Sequence, residues 1–232
     1  MPSQLKTSAR DLGRRALMRV GATTSERARR RLVTLHRYLE LGLWAKDQYG
    51  AMPRHWEDRF GLFGEALRHV TGSRPLYLEF GVYTGGSFRW WCEHLTGPDA
   101  RLVGFDSFEG LPEDWNPHVS AGAFAVDSIP EINDPRASLV AGWFDETVPV
   151  FDVPDHDQLI VNIDSDLYSS AVLVLTELEK FLVPGTLVYF DELSDVDHEL
   201  RAWKEYLERT GTRTELLGIA AGGTNWLFRI VS

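Results

Sequence analysis

From Pro75 onward the chain alternates between short, largely apolar runs and longer stretches in which apolar residues recur every three or four positions. The runs Pro75–Phe80, Arg101–Phe105, Ser138–Ala141, Gln158–Ile163 and Thr186–Phe190 have the signature of parallel strands buried on both faces. Between them, Ser87–Leu95, Ser169–Leu182 and Asp197–Thr210 carry helical spacing. The last two strand candidates, Glu215–Ile219 and Asn225–Val231, are separated only by Ala-Ala-Gly-Gly-Thr, which reads as a hairpin and not a crossover. The pattern predicts an α/β fold: a seven-stranded, mostly parallel sheet with helices on both faces, closing with an antiparallel C-terminal hairpin.

Upstream, Leu32, Leu35, Leu39 and Leu43 form one face of a helix that starts at Ser25. A further helix is predicted through Trp56, Phe60, Phe63, Leu67 and Val70 to a stop at Thr71-Gly72. Residues 1–25 are polar, weakly periodic around Leu12, Leu17 and Val20, and open to disorder. The expected organisation is an N-terminal helical extension over 1–72 and a core over 73–232. Within the core, the stretch 107–136 is broken by Pro112, Pro117, Pro130 and Pro135 and carries Phe108, Trp115 and Phe124 without a core pattern. It reads either as a lid or as a surface excursion with tucked aromatics.

Charge changes this picture at the N-terminus. Residues 1–37 hold ten Lys and Arg against Asp11 and Glu26, so a net charge of -10 divides into +8 there and -18 over the remainder. A basic arm can meet nucleic acid, anionic lipid or the acidic face of a second subunit, or can be a plain solvated helix. The acidity of the body disfavours phosphate backbones, so no nucleic-acid partner is expected, and a homodimer formed through the N-terminal helices is the favoured contact. The one cysteine, Cys92, excludes an intramolecular disulfide and reads as a packing residue. No apolar run approaches the roughly 20 residues that span a bilayer, and a signal-peptide core is lacking; the chain is expected to be soluble and cytoplasmic.

The candidate chemistry sits at the strand ends. Glu79 closes the first strand, Asp106 the second, Asp164 and Asp166 the fourth, and Asp191-Glu192 the fifth. Ligands bind outside the carboxyl ends of such strands, so these carboxylates should share one crevice. That arrangement demands a polyhydroxylated, cationic or metallic partner. Glu79 to Ser87 reads as strand, glycine turn and helix start, but Tyr83 replaces the middle glycine of a dinucleotide loop and crowds a pyrophosphate. Asp106, about 25 residues beyond the first glycine, suits ribose hydroxyls. Asp164, Asp191 and Glu192 at neighbouring strand ends could surround a hard divalent cation, Mg²⁺ in preference to Zn²⁺ because no His/Cys cluster accompanies them. Asp164-Ser165-Asp166 is also a D-x-D triplet able to hold a nucleotide-sugar diphosphate through a metal. A glycosyltransferase is therefore the alternative enzyme class, and a non-catalytic binding protein stays open.

The segments EFGVYTGGS, GFDSFEGLPEDW, GWFDETVP and IDSDLYSS…LVPGTLVYFDE, in this order and spacing, resemble class I S-adenosylmethionine-dependent methyltransferases of the macrocin O-methyltransferase (TylF/MycF/NovP-like) family, over about residues 75–231. The resemblance implies a Rossmann-like fold and methyl transfer from S-adenosylmethionine to a hydroxyl of a small acceptor, such as a sugar in natural-product biosynthesis, assisted by Mg²⁺. It implies that Glu79, Gly81 and Gly85 line the methionine and ribose portion of the cofactor, that Asp106 binds ribose, and that Trp143 lies near the adenine. Val82, Tyr83, Ser87, Ser107 and Asp164 complete the implied cofactor contacts. It also implies that Asp164, Asp191 and Glu192 hold the metal and that Asp166 is the general base. The best-known members have two aspartates where this chain has Asp191-Glu192; a longer carboxylate can still ligate. The residues themselves offer a rival base, His198, at the start of the helix after the fifth strand. Trp90, Trp91, Trp115 and Trp143 could frame a flat or sugar-like acceptor, although Trp90 and Trp91, adjacent on a helix, cannot face the same way.

Overall fold

The computed structural model describes residues 9–50 and 53–232. The expectation of disorder over residues 1–8 lies outside the described residues, while the remainder of that segment is α1 (Ala9–Thr23). α2 (Glu26–Tyr49) follows, with the Ser25 hydroxyl accepting from the Ala28 N–H at its start and Gly50 in the left-handed region at its end. Next come β1 (His55–Trp56), α3 (Arg59–Arg68), β2 (Pro75–Phe80), α4 (Gly86–His94), β3 (Arg101–Asp106), β4 (Ala137–Ala141) and α5 (Phe144–Thr147). The chain closes with β5 (Gln158–Ile163), α6 (Tyr168–Glu177), β6 (Leu187–Phe190), α7 (Glu199–Thr210), β7 (Thr214–Ala220) and β8 (Asn225–Ile230).

All seven expected strands are present, and an eighth joins them. Trp56, expected in a helix, lies instead in β1, which pairs in parallel with β7 at the edge of the sheet. The strand order is β1-β7-β8-β6-β5-β2-β3-β4, and β8 alone runs antiparallel to its neighbours. β2 is hydrogen-bonded to β3 on one side and β5 on the other. The chain thus runs outward through β3 and β4, then returns to β5 and continues the opposite way through β6. This reversal is the topological switch point of the sheet, where its carboxyl edge splays into a crevice.

Alternation along the central strands separates two cores. Leu76, Leu78 and Phe80 of β2 join Leu159, Val161 and Ile163 of β5 beneath α2, α6 and α7. Tyr77 and Ile160 face the other way, into a cluster with Leu62 and Phe63 of α3 and Phe88 and Trp91 of α4. Trp91 is 1% exposed and stacks on Tyr77 at 4.6 Å, while Trp90 stacks on His94 at the helix surface. Both tryptophans therefore serve α4 packing and neither lines the crevice described below. Cys92 is buried on the same helix, which pushes its thiol up to about 11.

The helix expected from Ser25 is present as α2, and it meets the body on a face other than the leucine stripe. α2 packs through Leu41 and Ala45, with Trp44 and Tyr49 against Trp226 and Phe228. The stripe Leu32, Leu35, Leu39 and Leu43 is more than half exposed instead. Arg37 ties α2 to the body through Asp195 at 3.1 Å and Asp197 at 3.5 Å. Among the described residues, no helix is long and apolar enough to cross a membrane.

Candidate active site

A cavity of about 990 Å³ opens at the carboxyl edge of the sheet, over the switch point. Backbone bonds hold the strand ends together beneath it: Gly81 N–H donates to Phe105, Asp164 N–H to Phe80, and Asp191 N–H to Ile163. Gly81 has φ +100°, and a Cβ there would lie 1.8 Å from the Asp164 carbonyl oxygen. Only glycine lets β2 turn this close to the end of β5.

One half of the cavity is built on Asp106. Its Oδ2 accepts from the N–H groups of Val82 and Tyr83 at 2.8 and 2.7 Å, and its Oδ1 from Phe108 N–H at 2.7 Å. The glycine turn is thus tied to the end of β3, and one acceptor direction of Oδ1 is left for a ligand hydroxyl. The same bonds occupy two N–H groups that a dinucleotide loop would aim at a pyrophosphate. Gly81, Tyr83, Ser107 and Trp143 also line this half, with Trp143 opening α5 at the end of β4. Val82 is buried beneath the turn, and Gly85, at φ +78°, opens α4 without a place in the cavity wall.

Glu79 also lies under the turn. It is fully buried and accepts from the Ser87 hydroxyl at 2.6 Å and from the Tyr77 hydroxyl, so it anchors the start of α4 to β2. Burial, opposed by those hydrogen bonds, pushes its carboxyl up to about 7. The folded chain then holds this proton more tightly than the unfolded chain. The associated stability is complete below the usual value near 4.5 and is lost as pH rises through about 7. In urea unfolding we expect the ligand-free protein to lose about 3 kcal/mol through this group between pH 5 and 8. Glu79→Gln should make the decline shallower by this amount, Asp166 and Glu192 contributing in the same range; an equally steep decline in the variant would show that Glu79 contributes nothing to it.

The second half is acidic. Asp164, Asp166, Asp191 and Glu192 line it, and burial followed by the neighbouring carboxylates pushes both Asp166 and Glu192 up to about 7. Asp164 is driven well above the usual carboxylate range by burial and by Asp191. Asp166 sits at φ +61°, a left-handed conformation unusual for a non-glycine residue. Its loop is clamped by a residue the sequence did not flag. Glu199, fully buried in the first turn of α7, accepts from the N–H groups of Ser165 and Asp166 through Oε1 and from Glu192 through Oε2. One carboxylate therefore fixes both acidic strand ends.

His198 is placed beside this clamp and outside the cavity wall. Its Nδ1 lies 3.1 Å from Tyr168 N–H and must accept that bond, which leaves the ring proton on Nε2. In that tautomer neither nitrogen is available to take a proton from a substrate.

The expected Mg²⁺ set does not assemble. Among the described residues, no group of three or more His, Cys, Asp or Glu side chains is arranged to hold a metal ion. Asp191 is spent on protein donors: Tyr189 O–H at 3.1 Å and Asn225 N–H at 2.8 Å reach Oδ1, and Arg59 Nη2 reaches Oδ2 at 2.7 Å. Arg59 Nη1 lies 3.5 Å from Asp164 Oδ2, so a guanidinium stands between the two expected ligands. These residues, arranged in this way, do not fit a divalent cation. Arg59 is the second functional residue that the sequence did not single out.

The stretch 107–136 forms one wall of the cavity through Ser107, Glu109, Leu111, Trp115 and Phe124. It is held by Leu111 N–H donating to the Ala123 carbonyl and Gly122 N–H donating to the Leu111 carbonyl, by Ser169 O–H donating to Glu113 at 2.6 Å, and by edge contacts from Phe124 to Tyr83 and from Trp115 to His198. Trp115 and Trp143 face the cavity.

A family model described as a methyltransferase domain matches residues 78–193, half of the chain, and the chain belongs to this family. The matched segment begins in β2 and ends just past Asp191-Glu192, so it contains both halves of the cavity floor. Among solved structures, the chain is similar to the calicheamicin methyltransferase CalS11, at 21% identity and a TM-score of 0.58 over 99% of this chain and 98% of that one. It is also similar to the O-methyltransferase NovP, at 20% identity and a TM-score of 0.57 over 75% of this chain and 78% of that one. An apo structure of CalS11, a TDP-rhamnose 3'-O-methyltransferase, aligns at 22% identity and a TM-score of 0.50 over 97% of this chain and 96% of that one. At these identities the likeness is one of fold. No curated protein sequence matches the chain.

Proposed function

We propose that the protein is an S-adenosylmethionine-dependent O-methyltransferase of the macrocin type, acting on a hydroxyl of a small polyhydroxylated acceptor such as a natural-product sugar. The observation that carries this reading is the division of one cavity into an Asp106 half with a free acceptor for a ribose hydroxyl and an Asp166 half with a base. Among the described residues, nine acidic side chains and one basic side chain line the cavity. Such a lining favours a cationic cofactor and disfavours the diphosphates of a nucleotide sugar or a nicotinamide dinucleotide. The glycosyltransferase alternative also needs Asp164 free for a metal, and Asp164 faces Arg59.

S-adenosylmethionine, when bound, supplies an electrophilic methyl group on a sulfonium. The Asp106 half would hold its nucleoside, and the Asp166 carboxylate takes the proton of the acceptor hydroxyl that receives the methyl group. Glu199 holds the Asp166 backbone in place for this, and Trp115 and Trp143 offer faces for a ring. His198, its Nδ1 occupied, acts through the Tyr168 backbone and not as the base. The exposed Leu32–Leu35–Leu39–Leu43 stripe and the opposed charges of arm and body support a homodimer through the N-terminal helices.

Radiolabelled methyl transfer to a panel of sugars and glycosides tests the reading. Transfer to at least one hydroxylated acceptor is expected. Stabilisation in a thermal-shift assay by a UDP-sugar with Mn²⁺ or by NADH, with none by S-adenosylmethionine, would reject it.

A further inference from the structure

The acidic half of the cavity is faced by a cation that belongs to the chain itself. Among the described residues, Arg59 is the one basic side chain in the cavity lining. It opens α3, where Asp58 Oδ1 accepts from Gly61 N–H at 2.9 Å and so fixes the backbone from which the side chain extends. From that anchor the guanidinium spans the ends of β5 and β6, reaching Asp164 and Asp191 together. The Arg59 side chain is 37% exposed, whereas that of Asp191 is 6% exposed. The cation therefore sits at the mouth of the buried carboxylate, between it and the cavity.

A divalent ion such as Mg²⁺ asks for near-octahedral oxygen ligands at about 2.0–2.1 Å. The free side of Asp191 is instead taken by an N–H donor, and its other oxygen is saturated by Tyr189 and Asn225. A guanidinium supplies positive charge to the same carboxylates through directed N–H bonds, cannot be chelated away, and keeps other N–H groups for a further oxygen.

We propose that Arg59 is the resident cation of this site, standing where a divalent metal would bridge Asp164 and Asp191, and that its remaining N–H groups receive the acceptor oxygen that is methylated. The role toward the acceptor rests on the methyl-transfer reading; the role as cation rests on the geometry alone. In this arrangement Arg59 steadies the negative charge that builds on the acceptor oxygen while its proton moves to Asp166. Methyl transfer then runs without added metal.

The test is Mn²⁺ titration of the EDTA-treated full chain, read by the electron paramagnetic resonance of free Mn²⁺, beside methyl transfer with and without EDTA. The wild type is expected to take up no stoichiometric Mn²⁺ and to be insensitive to EDTA. Arg59→Ala is expected to bind Mn²⁺ at one site, to lose about a hundredfold in rate, and to recover part of that loss in Mg²⁺. Arg59→Lys keeps the charge and is expected to remain free of Mn²⁺, which separates a charge effect from a folding defect; Arg59→Gln repeats the measurement if the alanine variant does not fold. Stoichiometric Mn²⁺ binding by the wild type, loss of its activity in EDTA, or a folded Arg59→Ala that binds no Mn²⁺ overturns the proposal. The titration needs no substrate, so it decides the cation question even if no acceptor is methylated. A wild type that transfers no methyl group to any acceptor overturns the methyl-transfer reading and, with it, the acceptor role of Arg59.

Discussion

Asp166→Asn is expected to slow methyl transfer by about 10²–10⁴-fold while leaving cofactor affinity unchanged. The substitution keeps shape and removes the proton acceptor. The clamp on its backbone comes from Glu199 through main-chain N–H groups and does not depend on the Asp166 side chain. Its carboxyl, pushed up to about 7 by burial and then by Glu192, Asp191 and Asp195, is half-ionised near neutral pH. The wild-type rate should therefore rise with pH through about 7 and level off above it, because only the ionised form accepts a proton. In the asparagine variant that inflection should disappear. Single-turnover rates across pH 5.5–8.5 provide the check, and an unchanged rate and inflection would move the base to another group.

Gly81→Ala carries the largest expected effect on stability, about 4 kcal/mol or more. Its Cβ would fall 1.8 Å from the Asp164 carbonyl oxygen, and its φ of +100° is one that side-chain-bearing residues rarely adopt. Relief requires β2 and β5 to part at the switch point, which would pull the Asp106-bound turn and the Asp164–Asp166 loop away from each other. Urea unfolding gives the magnitude, and cofactor binding should fail together with it. Gly86→Ala is the matched control. It lies in the first turn of α4 with nothing within 4 Å of its Cβ, so it should be neutral or slightly stabilising. Comparable losses in both variants would mean that the helix start, and not the close approach of the turn after β2 to the end of β5, limits stability.

The parts of this protein that were legible in the sequence are those whose physics is local. β2 and β5 are buried on both faces, so their composition alone marks them, and the observed bounds coincide with the expected ones. The acid at each strand end was visible because strand and turn are contiguous in the chain. β1 was not, since two residues carry no period and Trp56 continues the helical spacing of α3. The spacing of Leu32, Leu35, Leu39 and Leu43 marked α2 as a helix but not the face it packs with: the body of the protein takes Leu41 and Ala45, a choice made by Trp226 and Phe228 far along the chain. Arg59 and Glu199 were missed for a related reason. Each is a charged residue on an amphipathic helix, and its partners lie more than 100 residues away for Arg59 and, for two of the three N–H groups that Glu199 receives, beyond α6 and β6. A helix-first-turn glutamate next to a conspicuous histidine gives no signal that it will be fully buried. Glu79 shows the converse: its motif was readable, but whether it faces the ligand or braces the turn depends on Tyr77 and Ser87 filling its two oxygens.

The account rests on the Asp106 half of the cavity being a nucleoside site for S-adenosylmethionine, and calorimetric titration with S-adenosylhomocysteine tests this most directly. The account predicts saturable one-site binding to the wild type, weakened about tenfold or more in Asp106→Asn, which keeps the side-chain shape but weakens the bonds to the turn and the free acceptor. No heat and no thermal stabilisation of the folded wild type at millimolar cofactor product would contradict it.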